Sequence, residues 1–146
     1  MKTSIVISLI YLLIIPFTIK KSVNEEYVGI KFYEGKFKDA LSLSKKENKL
    51  IFLDIYASWC GPCKKLKYKT FSNEEVGKFY NENFINLSLD GEEGEGAILA
   101  EKYGVYSYPT LLFLNSEGNV VYAVVGYHNP NEFIELGKKA LKKYKK

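Results

Sequence analysis

Apolar positions recur along this chain with different periods, and each period marks a different kind of element. From Leu50 to Ala57 the run is nearly unbroken, the pattern of a central strand buried on both faces. Upstream, Phe37, Ala40 and Leu41 fall at helical spacing with Lys45, Lys46 and Lys49 on the other side, which predicts a helix over 36–48. Val28–Tyr33 is read as a short first strand. After Cys63 the chain reads as helical to about Thr70. Ser72 followed by Glu75 has the form of a capping box and predicts a second helix from about Asn73 to Asn81. Phe84–Leu89 is another strand, and a helix over 97–103 stops at Gly104, a natural terminator. Leu111–Leu114 and Val120–Val125 flank the turn Asn115-Ser116-Glu117-Gly118-Asn119 and predict a hairpin. Asn129-Pro130-Asn131-Glu132 opens a last helix, with proline at its first position and an apolar stripe of Phe133, Leu136, Ala140, Leu141 and Tyr144. The order β-α-β-α-β-α-β-β-α is that of an α/β layer structure with a mixed sheet flanked by helices.

The first residues follow none of these periods. Met1-Lys2 precedes an uncharged, Ile- and Leu-rich stretch over 3–19, which Lys20 and Lys21 end. A charged start before an apolar run is the pattern of an export signal, and the run is slightly short for a spanning helix. A small-x-small cleavage site is missing, so residues 1–21 read either as a cleaved signal peptide or as a retained N-terminal membrane anchor. Lysines on both sides leave orientation open. Residues 22–35 are expected to hold a polar linker and the short first strand, and residues 36–146 a single domain, extracytoplasmic and monomeric.

Charge narrows the partners. All 21 basic residues are lysine, and the net charge is only +4. Without the forked guanidinium of arginine, and with no nucleic-acid motif, nucleic-acid reading is excluded from the working hypotheses. The lysines near the C-terminus (Lys138, Lys139, Lys142, Lys143) read as a solvated helix face that complements the negative end of the dipole. Asp90-Gly91-Glu92-Glu93-Gly94-Glu95-Gly96 reads as a solvated loop.

The chain has only two cysteines, Cys60 and Cys63, three positions apart. Neighbouring thiols staple no distant segments, so their purpose is chemical. Cys60 follows the buried strand and Cys63 lies in the first turn of the next helix, just beyond a strand's carboxyl end, where sites gather in open α/β sheets. A sulfur there faces unpaired backbone N–H groups, which favour thiolate and lower its pKa. Pro62 suits a first helical turn, and Gly61 allows close backbone approach. The expected cycle has the Cys60 thiolate attack a substrate disulfide, after which Cys63 displaces the substrate and leaves a Cys60–Cys63 bond. No cofactor beyond that redox-active disulfide is expected. Asp54, in an otherwise apolar strand, loses solvent and should have a raised pKa, so it is the candidate acceptor for the Cys63 proton.

Asp54, Trp59-Cys60-Gly61-Pro62-Cys63-Lys64 and Tyr108-Pro109-Thr110 together resemble the thioredoxin superfamily, over roughly Phe37 to Leu141. The resemblance implies a thioredoxin fold. It implies that Pro109 is cis and faces the cysteines, and that Tyr108 offers backbone groups to an extended substrate. It further implies that Gly126 lies near the groove and that Trp59 shields Cys60. Lys69-Thr70-Phe71-Ser72-Asn73-Glu74-Glu75-Val76 is similar to a subgroup that includes the C-terminal domain of bacterial transmembrane disulfide interchange proteins, typically extracytoplasmic and reducing. The chain departs from the family at one point: where ordinary thioredoxins place a lysine near the buried Asp, this strand offers Asn86.

The expected function is thus a protein-disulfide reductase. It would act on exported protein disulfides and be re-reduced by a membrane or soluble thiol reductase. Two other classes compete with it. A thiolate metal-binding module would want four ligands, and His128 is the only histidine; that residue reads as part of the loop before the last helix. A binding or chaperone module would simply rest with its cysteines joined.

Overall fold

A computed structural model describes residues 28–145. The expected signal or anchor over 1–21 and the polar linker over 22–27 lie outside the described residues. Helix α1 (Phe37–Glu47) leads into strand β1 (Leu50–Tyr56), the short helix α2 (Gly61–Lys65) and a π-helical turn, Leu66–Phe71. Helix α3 (Glu74–Asn83), strand β2 (Phe84–Asp90) and helix α4 (Gly94–Lys102) follow. The hairpin of β3 (Thr110–Leu114) and β4 (Val120–Val125) and helix α5 (Pro130–Tyr144) complete the order. The four strands form one mixed sheet, β2-β1-β3-β4, in which β1 pairs parallel with β2 and antiparallel with β3.

β1 is apolar on both faces because helices cover both. Phe52 looks into a core of Tyr80, Phe113 and Phe133 beneath α3 and α5, and Ile51, Leu53 and Ile55 look the other way toward Phe37, Ala40 and Leu99 of α1 and α4. The first core is held by aromatic packing: Tyr80 stacks on Phe133 with centroids 4.3 Å apart, and its hydroxyl donates to the Phe133 carbonyl at 2.8 Å. α5 opens with the capping box that Asn129 and Glu132 predict.

Three local expectations give way. Val28–Tyr33 forms no strand. It runs beside β2 with one backbone bond, Tyr33 N–H to the Asn86 carbonyl at 2.7 Å. Side-chain amides take the place of a ladder: Asn81 accepts from the Lys31 N–H and donates to the Gly29 carbonyl. The cap of α3 is Asn73 rather than Ser72, because the Asn73 carboxamide oxygen accepts from the Val76 N–H at 3.1 Å, whereas the Ser72 hydroxyl donates back to the Tyr68 carbonyl. The acidic Gly-rich stretch is only half loop, since α4 already begins at Gly94. Gly96 belongs to that helix because a Cβ there would collide with the Asp90 carbonyl, and its absence lets the helix start flush against the end of β2.

Candidate active site

β1 delivers the chain to the sheet's carboxyl edge, and Ala57-Ser58-Trp59 turns it into α2. Cys60 is the residue that caps that helix. Its sulfur accepts the Cys63 backbone N–H at 3.1 Å, so the local chain supplies a donor aimed at this one sulfur. Cys60 and Cys63 are joined as a disulfide with Cα atoms 5.3 Å apart. Both are buried, packed with Ala57 against Tyr56 and Tyr108. Gly61 and Pro62 are exposed above them. Beyond its chain neighbours and its own helix backbone, no described residue lies within 4 Å of the place a Cβ on Gly61 would take, so the close approach that glycine permits is open to a visiting chain.

The groove beside the pair forms from distant segments. The Tyr108–Pro109 peptide bond is cis, and Tyr108 packs against the cysteine cluster. Gly126, at φ +95°, donates its N–H to the Pro109 carbonyl at 2.9 Å and so ties the end of β4 to the proline turn. Trp59 is mostly exposed; it meets Tyr108 edge to face and donates its indole N–H to the Glu92 carboxylate at 3.0 Å. On the other flank the Lys65 ammonium sits 4.1 Å over the Tyr127 ring. Tyr108 therefore packs on the cysteine cluster itself, Trp59 meets Tyr108, and Gly126 meets Pro109 through its backbone.

Asp54 lies on the far side of the pair, 4% exposed. Burial strips its carboxyl of water and pushes its pKa up from 3.8 to about 7, while a hydrogen bond from Ser88 pulls the other way. The Ser88 hydroxyl donates to Oδ2 at 2.8 Å, and Oδ1 is buried without a hydrogen-bond partner. A cavity of about 490 Å³ is lined by both Asp54 and Cys63; Ser88, Lys64, Lys67 and Phe32 are also among its walls.

Two features were not legible as chemistry in the sequence. Ser88, not Asn86, is the partner of Asp54: the parallel register sets Asp54 beside Ser88 and Phe52 beside Asn86. The Asn86 amide instead spans the Tyr80 and Lys31 carbonyls and Asn81 Oδ1. The signal was available in that register, had the strands been aligned from Leu50 and Phe84. Glu92 reads in sequence as one more solvated acid in a loop, and nothing in its spacing announces the bond to Trp59.

His128 sits in the loop before α5, its Nδ1 3.7 Å from the Glu132 carboxylate. Among the described residues no group of three or more His, Cys, Asp or Glu side chains converges as a metal site would require. Lys138, Lys139, Lys142 and Lys143 are exposed along α5.

Comparison with known proteins agrees with this geometry. A thiol:disulfide interchange protein DsbD from Yersinia pestis is 32% identical over 96 residues, covering 64% of this chain and 16% of the relative. The chain thus spans only 16–20% of the length of such curated relatives. A solution structure of a candidate disulphide-isomerase from Bacteroides thetaiotaomicron superposes with a TM-score of 0.70 at 44% identity, covering 80% of this chain and 97% of that one. The oxidised C-terminal domain of DsbD from Neisseria meningitidis gives a TM-score of 0.61 at 25% identity, covering 77% and 99%. The α/β architecture, a four-stranded mixed sheet flanked by helices, is the thioredoxin fold. Residues 37–141 match the model of the thioredoxin-like domain, and the chain belongs to that family.

Proposed function

We propose that this chain, a thiol–disulfide oxidoreductase, works as a reductant of disulfides in exported proteins. The observation that carries the reading is the Cys63 N–H aimed at Cys60 Sγ. Once the pair is reduced, that donor stabilises the anion on Cys60 and makes it the attacking sulfur. Cys60 forms the mixed disulfide, Cys63 resolves it, and Asp54 takes the Cys63 proton directly or through water in the shared cavity. Trp59, Gly61, Pro62, Tyr108, Pro109 and Gly126 frame the groove that receives the substrate chain.

Direction follows from the insert and the relatives. Gly61-Pro62 is the insert of reducing thioredoxins, whose potential is about −270 mV, against about −120 mV for strong oxidants. The DsbD relatives support an extracytoplasmic setting, with residues 1–21 as export signal or anchor, 22–35 as the linking segment and 36–146 as the working domain. Electrons would then come from a membrane or soluble thiol reductase, since the environment outside the cytoplasm guarantees no reductant pool.

Insulin reduction in the presence of dithiothreitol tests the reading. The wild type accelerates it, and Cys60→Ser does not. A binding module with a resting disulfide would give equal rates for both. A potential near the oxidant end would reverse the direction. Recovery of scrambled ribonuclease faster than insulin reduction would instead favour isomerisation, the activity for which the Bacteroides protein is named. Cys63→Ser expressed in the native host should accumulate mixed disulfides at Cys60, and those adducts name the substrates.

A further inference from the structure

We propose that Ser88 is a positioning residue for the exchange: its hydroxyl occupies one oxygen of Asp54 and leaves the other to take the proton that Cys63 sheds. The inference rests on the proton-acceptor reading of Asp54 and deepens it. Parallel pairing of β1 with β2 sets the two residues side by side, and the Ser88 hydroxyl donates to Oδ2 at 2.8 Å. Oδ1 is buried with no partner. A proton arriving on Oδ2 would require the Ser88 hydroxyl to turn and accept instead of donate. One arriving on Oδ1 leaves the Ser88 bond intact, so the bond serves both charge states and selects the oxygen that titrates.

The titratable groups that line the cavity with Asp54 are Tyr56 of β1, Cys63 and Lys64 of α2, and Lys67 and Tyr68 of the π-helical turn; β2 contributes Ser88, and β3 sets only Leu111 opposite. Neither lysine hydrogen-bonds or pairs with the carboxylate. The cavity, at about 490 Å³, has room for water, whose share of liquid volume is about 30 Å³, so a bridging molecule can pass the proton.

In the step itself the Cys63 thiol loses its proton to Asp54 Oδ1, and its sulfur attacks the Cys60 sulfur of the mixed disulfide. The Cys60–Cys63 bond forms, the bond to the substrate sulfur breaks, and the substrate leaves as a thiolate that water protonates. Two electrons pass from the dithiol to the substrate.

The test is a single turnover of the reduced full-length chain with glutathione disulfide across about pH 5–9, following decay of the mixed disulfide by acid quench and mass spectrometry. For wild type the decay rate rises as Asp54 ionises. For Ser88→Ala the half-maximum should move up by about one pH unit, slowing decay at neutral pH up to about tenfold, with the curves converging at the alkaline end. Ser88→Thr, which restores the donor, should track wild type. Ser88→Val deletes the donor while keeping a strand-favouring shape, and stands in should the alanine variant fail to fold. An unshifted half-maximum in the donor-less variants, with the Asp54→Asn profile altered, would sink Ser88 and leave Asp54 standing. A wild-type profile in Asp54→Asn overturns both.

Discussion

Replacing Asp54 with asparagine should stabilise the oxidised protein, by an amount that grows with pH. Burial raises the carboxyl from 3.8 to about 7, roughly three pH units, and each unit is worth about 1.4 kcal/mol. Between those two values the native state holds a proton that the unfolded state has lost. Unfolding therefore releases a proton, and native stability falls as pH rises. Below about pH 4 both states are protonated and the carboxyl costs little. At pH 8 the folded protein carries a buried carboxylate that costs about 4 kcal/mol relative to solvent exposure. Asparagine is isosteric and cannot ionise, so its own desolvation adds a constant offset and no slope. Urea unfolding of oxidised wild type and Asp54→Asn at pH 4, 6 and 8 should show the gap between them widening by about 3–4 kcal/mol across the range. Oxidised protein is essential, since the disulfide removes both thiols from the titration. A gap that stays constant with pH, or narrows, would mean that Asp54 ionises normally, and the assignment of a raised pKa would be wrong.

Further perturbations probe the packing around the same site. Phe133→Ala empties the centre of the aromatic core, where the ring meets Phe52, Phe71 and Tyr80, and should cost about 3–5 kcal/mol in urea unfolding. Gly126→Ala places a Cβ in open space but at φ +95°, so a loss of about 1–2 kcal/mol would come from backbone strain alone. Glu92→Ala frees the indole of the chain's single tryptophan, and the fluorescence anisotropy of Trp59 should fall while stability changes by less than about 0.5 kcal/mol.

What could be read from sequence was whatever depends on local pattern. The unbroken run of β1 and the Asn129-Pro130 opening of α5 carry their own structure, and both form where expected. The cysteine pair is equally local, because capping and first-turn geometry need only a few adjacent residues. Failures came where a distant partner decides. Val28–Tyr33 has strand composition, yet Asn81 and Asn86, through bonds spanning 50 to 55 positions, satisfy much of its backbone. Gly94 and Gly96 look like loop residues, but the left-handed backbone of Gly94 at φ +50° and the tight seating of Gly96 against the end of β2 let α4 begin there. Ser88 was invisible for the same reason: a lone serine in a strand means nothing until the register fixes what it faces.

That register also explains why an acid stands among Leu53 and Ile55. A leucine at position 54 would bury without penalty, whereas the carboxylate costs about 4 kcal/mol above its folded pKa, a large share of the roughly 5–15 kcal/mol that holds a domain together. Packing logic alone therefore argues against Asp54, and positions that break packing logic are where function is expected. Ser88 offsets part of the penalty with one hydrogen bond, and Asp54 shares the walls of one cavity with Cys63. A cation paired directly with Oδ1 would pull the pKa down and make the carboxylate a weaker base toward the thiol's proton. A single neutral donor leaves the group near pH 7, as the proton-transfer role proposed for it requires.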